Sequence, residues 1–195
     1  MFKIKPNFIG CFKTGDNINH NLKVLALLYY YFDKAEVDEK RLLCKPIILI
    51  IVSIIEAVLH DFHGRIIGFT KEGVSSVASE VIDYIRGIKH NDQLEKYIAS
   101  AKKHDFFGMK DTKLYDRLDD LRKLRNRIHI QNTRNYFEVD EYEAFNDNRK
   151  IMAEKVLEIV LRVMENKHSR GFTYVQDFEL PWKEYYIVDK EDSQI

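Results

Sequence analysis

Apolar residues recur every three or four positions along most of the chain, which is the spacing of amphipathic helices. The first such stretch predicts a helix at residues 16–33, with Asp16 or Asn19 as its N-cap. Residues 35–45 then form either a short second helix or an extension of the first.

The most apolar stretch of the chain follows Pro46. A residue before proline avoids the helical backbone region, so Lys45 marks a boundary, and Pro46 suits the first turn of a long helix that runs to about Ile67. Between residues 47 and 55 this helix is apolar on every side except at Ser53. Because a helix without a polar face is normally covered all round, we expect a second copy of the chain to cover it in a homodimer.

The same stretch raises the question of a membrane. Glu56, His60 and Asp61 follow it closely, whereas a membrane span needs about 20 apolar residues, so a buried helix is expected. The amino-terminal "MFKIKPNFIGCF" has no apolar run followed by a small-residue cleavage site. We therefore expect a cytoplasmic protein that does not bind a membrane.

The remainder of the pattern predicts more helices and an irregular tail. The tail, from residue 171 to residue 195, is aromatic and β-branched around Pro181, which favours a short hairpin or a packed arm. We expect an all-α, single-domain protein, a bundle of about five helices with its helical core at about residues 16–168. The further predicted helices lie at residues 72–89, 92–108 (closed by Gly108), 112 to about 131 (with Thr112 as N-cap) and 139–168 (ended by Gly171).

Composition narrows the function classes. Lysine plus arginine (31) equal aspartate plus glutamate (31), which argues against a wholly basic nucleic-acid coat but permits a local basic patch. Cys11 and Cys44 lie far apart, without metal-ligand spacing, so neither a disulfide nor a metal site is expected. Phosphate loops, the GxGxxG fingerprint, HExxH and GxSxG do not occur. We expect no cofactor.

A local basic patch does occur in "DDLRKLRNRIHIQN", residues 119–132. On a helical wheel, Arg122, Asn126 and His129 share one flank of the apolar arc, and Arg125 lies between that arc and His129. A guanidinium there is half buried and needs an anionic partner. Lys123 and Arg127 point away from the core. The arc expected to face the core consists of Leu114, Leu118, Leu121, Leu124 and Ile128.

This grouping suits a phosphodiester. Arginine holds phosphate oxygens bidentately, and histidine can move a proton near neutral pH. No acid occurs from Arg122 to Asn135, so we expect that near neighbours do not neutralise the strip. The alternative is structural: a basic helix end is favoured by the macrodipole, and acids at residues 138–143 could pair with it.

Three other features could have either a structural or a functional role. Glu56 needs a partner inside its apolar helix, and Arg125 is a candidate. His60 and His63, with Asp61 between them, could begin a metal site, but ordinary solvated or capping roles are favoured. The run Tyr29 to Tyr31 could stack bases, although core packing is favoured.

The segment "LRKLRNRIHI" resembles the signature helix of the HEPN superfamily, whose mark is an arginine, four to six residues, and a histidine. Arg122 and His129, with six residues between them, match this spacing. The dipeptide of Arg125 and Asn126 is also similar to the motif, but only three residues separate Arg125 from His129. The apolar helix ending "IIEAVLHDF" resembles the helix before the motif helix, and the resemblance covers about residues 40–168.

The resemblance implies a homodimeric, metal-independent endoribonuclease that leaves 2′,3′-cyclic phosphate ends, in a toxin–antitoxin or phage-defence context. His129 would be the general acid or base, Arg125 or Arg122 would stabilise the phosphorane, and Asn126 would orient the substrate. It also implies a partner protein, either an antitoxin or a nucleotidyltransferase. The expected RNA-binding residues are Lys123, Arg127, Gln131, Arg134 and Tyr136, with Phe137 beside the last.

Two rivals remain, because membership of a superfamily does not make an enzyme. One is a non-catalytic HEPN module that binds RNA, a nucleotide or a partner protein. The other is a plain helical interaction protein, whose basic helix pairs with the carboxylates of residues 138–147.

Overall fold

The computed structural model of this 195-residue chain describes residues 1–88, 93–110, 112–129 and 140–185. Most of these residues are helical, and the described sheet has two short strands, so the predicted all-α class is confirmed. The elements are β1 (Phe2–Ile4), α1 (Phe12–Lys34), α2 (Val37–Gly68), a 3-10 helix (Lys71–Val74), α3 (Ser79–Gly87), α4 (Leu94–His104), α5 (Leu114–Asn126), α6 (Glu141–Ala144), α7 (Asp147–Lys167) and β2 (Phe178–Leu180).

The start of α1 differs from its prediction. The helix begins at Phe12, so Asp16 and Asn19 lie inside it and neither is the N-cap. Instead, the buried carboxylate of Asp61 in α2 accepts hydrogen bonds from the backbone N–H groups of Gly10 (2.7 Å) and Cys11 (2.9 Å). The anionic partner of this helix end therefore comes from a distant part of the chain.

The long helix α2 begins nine residues before Pro46, so the prediction that proline opens it is wrong. A capping box starts the helix: the Glu36 side chain accepts from the backbone of Glu39, and the Glu39 side chain accepts from the Glu36 backbone N–H at 3.1 Å. Residues 37–45 thus belong to α2, and they neither form a separate helix nor extend α1. Packing of both halves of α2 in one core outweighs the hydrogen bond lost at Pro46.

The centre of the fold is α2, which contacts α1, α4, α5 and α7. Its apolar residues from Ile47 to Leu59 include several that are at most 2% exposed, so the chain's own helices cover most of this apolar segment. By length and composition alone α2 could also cross a membrane, and half of its most apolar window is buried within the fold. A core helix has the same properties.

A narrow strip of α2 is left uncovered between α1 and the α4–α5 side. Leu42 is 70% exposed, Ser53 is exposed, and Leu49, Ile50 and Ala57 are half-buried. Only this strip, and not the whole helix, remains as the apolar surface on which the expected second copy could pack.

Other predicted helices are shorter than expected. The pattern at residues 72–89 forms the 3-10 helix and then α3, and the pattern at residues 139–168 is divided into α6 and α7 by Asn146, whose side chain accepts from the Arg149 N–H at 2.9 Å. After α4, which ends at His104, Asp105 (φ 46°) takes a left-handed conformation that stops the helix, so the prediction that Gly108 (φ 66°) closes it is wrong.

Within its described residues, 171–185, the carboxyl-terminal tail forms a packed arm and no hairpin. Its strand β2 pairs antiparallel with β1 at the amino terminus, with Phe2 opposite Leu180 and Ile4 opposite Phe178. Phe178 and Leu180 are fully buried, so the arm closes one side of the core. The buried apolar residues form one cluster that extends from Ile4 to Trp182.

Candidate functional site

The basic segment begins as the helix α5, which ends at Asn126 and not near residue 131 as predicted. Its leucines are buried as expected, at positions 114, 118, 121 and 124. Beyond Asn126 the backbone N–H groups of Arg127 and Ile128 bond to carbonyls three residues earlier, so the helical phase is lost. As a result Ile128 is 56% exposed and Arg127 is only 4% exposed. The sequence predicts the reverse, with Ile128 facing the core and Arg127 pointing away from it.

Arg125 forms the ion pair that its half-buried position required. Its Nη2 lies 2.8 Å from Oε2 of Glu56 in α2, which confirms the predicted pairing. The two side chains keep 39% and 24% of their exposed surface, so the pair lies at the surface of the groove between α2 and α5. A charge-assisted hydrogen bond of this kind fixes the direction of the guanidinium.

Arg122 faces a different helix. Its guanidinium lies 2.7 Å from Asp119, one turn earlier on α5, and 3.8 Å from Glu95 of α4. The ammonium group of Lys123 also lies 3.0 Å from the Asp119 carboxylate. The expectation of a strip without neighbouring acids is therefore wrong, because the neutralising residues lie upstream of Arg122 and on α4. The spacing of three and four residues from Asp119 was the signal that could have shown this.

The charge of Asp119 reflects these contacts. Partial burial raises the pKa of its carboxyl group, but hydrogen bonds from Arg122 and Lys123 lower it more, and the pKa lies below its usual value. The same hydrogen bond raises the pKa of Lys123. This end of α5 is thus a compact network of compensated charges.

His129 and Asn126 complete the described part of the predicted site. Asn126 is the last residue of α5 and is half-buried, while His129 is exposed in a bend three residues later. The imidazole is open to solvent, but it does not continue a helical strip with Arg122. The predicted RNA-binding residues Gln131, Arg134 and Tyr136, and Phe137, lie outside the described residues.

The acids that follow the basic segment bind elsewhere. Glu141 pairs with Lys45, Glu143 lies 3.3 Å from Arg41, and the Asp140 side chain caps α6. None of the described acids between residues 140 and 147 pairs with Arg122 or Arg125. The reading in which they cover the basic helix is therefore wrong for these residues.

His60, Asp61 and His63 point in different directions and do not converge. His60 is exposed beside Tyr97, Asp61 caps α1, and His63 is buried, where its Nδ1–H donates to the Leu59 carbonyl at 2.8 Å. No metal-binding group of three ligands occurs among the residues the structure describes. The capping role is confirmed for Asp61, and a solvated role is wrong for His63.

The three consecutive tyrosines, residues 29–31, also differ from one another in their burial. Tyr29 is buried, and its hydroxyl donates to the buried carboxylate of Glu154 in α7. Tyr30 and Tyr31 are 53% and 55% exposed, so core packing is confirmed for Tyr29 alone.

No family model, curated protein or solved structure matches this chain. The resemblance to the HEPN superfamily therefore stays a prediction, which depends on the residues of α5 and the order of its neighbouring helices.

Proposed function

We propose that the protein is a homodimeric, metal-independent endoribonuclease of the HEPN type, acting in a toxin–antitoxin or phage-defence setting. The observation that carries the proposal is the ion pair of Arg125 with Glu56, which lies at the surface close in sequence to the exposed His129. A fixed guanidinium can stabilise the phosphorane and a solvent-accessible imidazole can transfer a proton, so the two groups suit cleavage of RNA without a metal.

The reaction is an internal transfer at phosphorus. The ribose 2′-oxygen forms a bond to phosphorus while the bond to the 5′-oxygen breaks, and a 2′,3′-cyclic phosphate remains. One proton leaves the 2′-hydroxyl and one reaches the 5′-oxygen, and His129 serves one of these transfers. Arg125 stabilises the extra negative charge on the phosphorane, and Asn126 donates to a phosphate oxygen.

Arg125 fits the role of the motif arginine better than Arg122. The Arg122 side chain is 20% exposed and is shared between Asp119 and Glu95, whereas that of Arg125 is 39% exposed and meets one carboxylate. An incoming phosphate could bind the free edge of the Arg125 guanidinium while Glu56 holds its other side.

The uncovered strip of α2 supports the dimer. Ser53 and Ala57 lie on the same helix as Glu56, three residues before and one residue after it, so the strip adjoins the ion pair. Two copies that pack through this strip would bring their Arg125 side chains to a common groove.

The test is cleavage of a generic RNA in EDTA by the purified protein. We expect products with cyclic phosphate ends, and we expect His129→Ala and Arg125→Ala each to lower the rate by about two orders of magnitude or more. Lys102→Ala is the matched control, because Lys102 is a surface cation paired with Asp116, away from the site. Cleavage that both site variants leave unchanged would contradict the proposal.

A second candidate is the non-catalytic HEPN module, and the charge pairing favours it. Both Arg122 and Arg125 already meet carboxylates, so the described site has less free positive charge than its arginines suggest. This candidate predicts RNA binding that weakens with salt and with Arg125→Ala, without any product.

A further inference from the structure

A pocket lies on the side of α4 that faces α2 and α3, away from α5. It encloses about 350 Å³ between α2, α3 and α4, which is at the small end of ligand sites in proteins. Lys102 of α4 pairs with Asp116 of α5, whereas Lys96 and Lys103 of the same helix line the pocket. The pocket is therefore separate from the site around Arg125.

Aromatic rings form the walls of this pocket. The His63 and Tyr97 rings lie 4.8 Å apart between centroids at an interplanar angle of 35°, and the Tyr84 and His104 rings lie 5.4 Å apart at 58°. Ile85 of α3 and Ile88, directly after this helix, add aliphatic surface. Flat rings on both sides of a small opening suit a planar aromatic ligand.

The charge of the pocket has one sign. Lys103 places its ammonium 3.6 Å from the centroid of the Tyr84 ring, a cation–π contact that holds the charge at the pocket, and Lys96 adds a second ammonium. Among the described residues that line the pocket there is no carboxylate. The complementary ligand is therefore an anion.

One buried polar atom also lacks a partner here. Nε2 of His104 is inaccessible to solvent and has no hydrogen-bond partner within the described part of the chain. Burial, with help from the neighbouring Lys103 charge, lowers the pKa of His104, so its ring is neutral near pH 7 and can donate one N–H. The hydroxyl of Ser100 lines the same pocket and can also bind a ligand oxygen.

We propose that this pocket is a binding site for a small planar aromatic anion. The ring of the ligand packs between the Tyr84 and Tyr97 sides of the pocket, and its carboxylate or phosphate meets Lys96 and Lys103, with the Ser100 hydroxyl as a hydrogen-bond donor. The site goes beyond the proposed nuclease function and does not depend on it, since none of its residues belongs to α5.

The test is isothermal titration calorimetry of the full chain with three ligands that share one ring: naphthoate, naphthyl phosphate and the uncharged naphthamide. We expect saturable binding of at least one anion, at least tenfold tighter than binding of the amide and weaker as salt is raised. The tighter of the two anions identifies the charged group that the site takes. Absence of saturable binding, or equal affinity for the acid and the amide, would overturn the proposal.

Two variants test the location. Lys103→Gln should weaken binding of the preferred anion at least fivefold, and Tyr84→Ala should weaken it further by removing the ring that holds the ammonium. Lys102→Gln removes the same charge one residue away, on the flank that faces α5, and should leave the affinity unchanged. If Lys102→Gln and Lys103→Gln have the same effect, the ligand does not bind in this pocket.

Discussion

The Arg125 guanidinium and the Glu56 carboxylate are both half-buried, and each offsets the desolvation of the other. Removing one member would leave an uncompensated charge in the groove, which costs more than the pair contributes. A phosphate that binds Arg125 therefore meets a guanidinium whose orientation is already set, although it must share that cation with Glu56. Such a site favours ligands that carry more than one negative charge.

His168, at the end of α7, is a residue whose role is structural. Its Nε2–H donates to the Phe106 carbonyl at 2.9 Å, and its Nδ1 accepts from the Ser76 hydroxyl at 2.7 Å. The imidazole is 1% exposed, and burial lowers its pKa to about 4. The backbone carbonyl of His168 accepts in turn from the buried Arg65, which also donates to the carbonyl of Phe8 at 2.6 Å. The cluster ties the amino-terminal segment to α2 and α7.

The depressed pKa of His168 makes stability depend on pH. Between about pH 6.5 and pH 4 the unfolded chain binds a proton at this residue and the folded chain does not, so the free energy of unfolding falls as pH falls. The slope from this residue approaches about 1.4 kcal/mol per pH unit within that window. Urea unfolding of the wild type and of His168→Gln at several pH values gives the slope of the unfolding free energy against pH for each protein. The difference between these two slopes is the contribution of His168.

The control for that prediction is His20→Gln, which changes an exposed histidine of α1. It should keep the slope of the wild type. If His168→Gln kept it too, His168 would not be the group that couples folding to pH here.

Two helical glycines differ in what surrounds them. A Cβ added at Gly15 in α1 would lie 2.4 Å from a methyl carbon of Val175, the residue by which the carboxyl-terminal arm packs on α1. A Cβ added at Gly64 in α2 would meet nothing within 4 Å. The first glycine is required by close packing, and the second only weakens its helix.

The same substitution should therefore have opposite effects in the two helices. Gly64→Ala should raise the free energy of unfolding by about 0.5–1 kcal/mol, because it reduces the backbone freedom of the unfolded chain. Gly15→Ala should lower it by about 1–3 kcal/mol through overpacking. Urea unfolding measures both. Val175→Ala combined with Gly15→Ala should recover part of the loss, and a loss that is simply additive would contradict the packing explanation.

Across the whole molecule, the arrangement of helices decides which surface is free to bind another chain. The described helices bury most of the apolar segment of α2 at residues 47–59 and leave the strip that includes Ser53 beside the Arg125–Glu56 pair. The proposed nuclease needs two copies that meet near this strip. A charge placed there would have to be buried unpaired at the interface.

Ser53→Glu should therefore convert the proposed dimer to a monomer and remove RNA cleavage, while the circular dichroism of the helices stays unchanged. Sedimentation equilibrium over a range of protein concentrations measures the association. Ser75→Glu makes the same change at another exposed serine, after the 3-10 helix, and should leave the dimer intact. A wild type that stays monomeric at every concentration would contradict the proposal.

Local periodicity was sufficient to predict the helical class, the buried leucines of α5 and the burial of the helix that contains residues 47–55. These features follow from the spacing of apolar side chains, which every helix must bury whatever its neighbours are. Some errors missed a local signal, such as the capping box of Glu36 and Glu39 at the start of α2, and others occurred where the deciding group came from elsewhere in the chain. Asp61 caps α1 from α2, and β1 pairs with the distant β2, so neither boundary could be read from adjacent residues.

In the candidate site, too, some features could be predicted from the sequence and others could not. The ion pair of Arg125 with Glu56 could be predicted, because each half-buried charge required a partner of opposite sign. The contact of Arg122 with Glu95 of α4, the burial of Arg127 and the pocket beside Lys103 could not be. The contact of Arg122 and the pocket depend on how α4 packs beside α3 and α5, and the burial of Arg127 depends on where the helical phase of α5 ends. Long-range packing decides both.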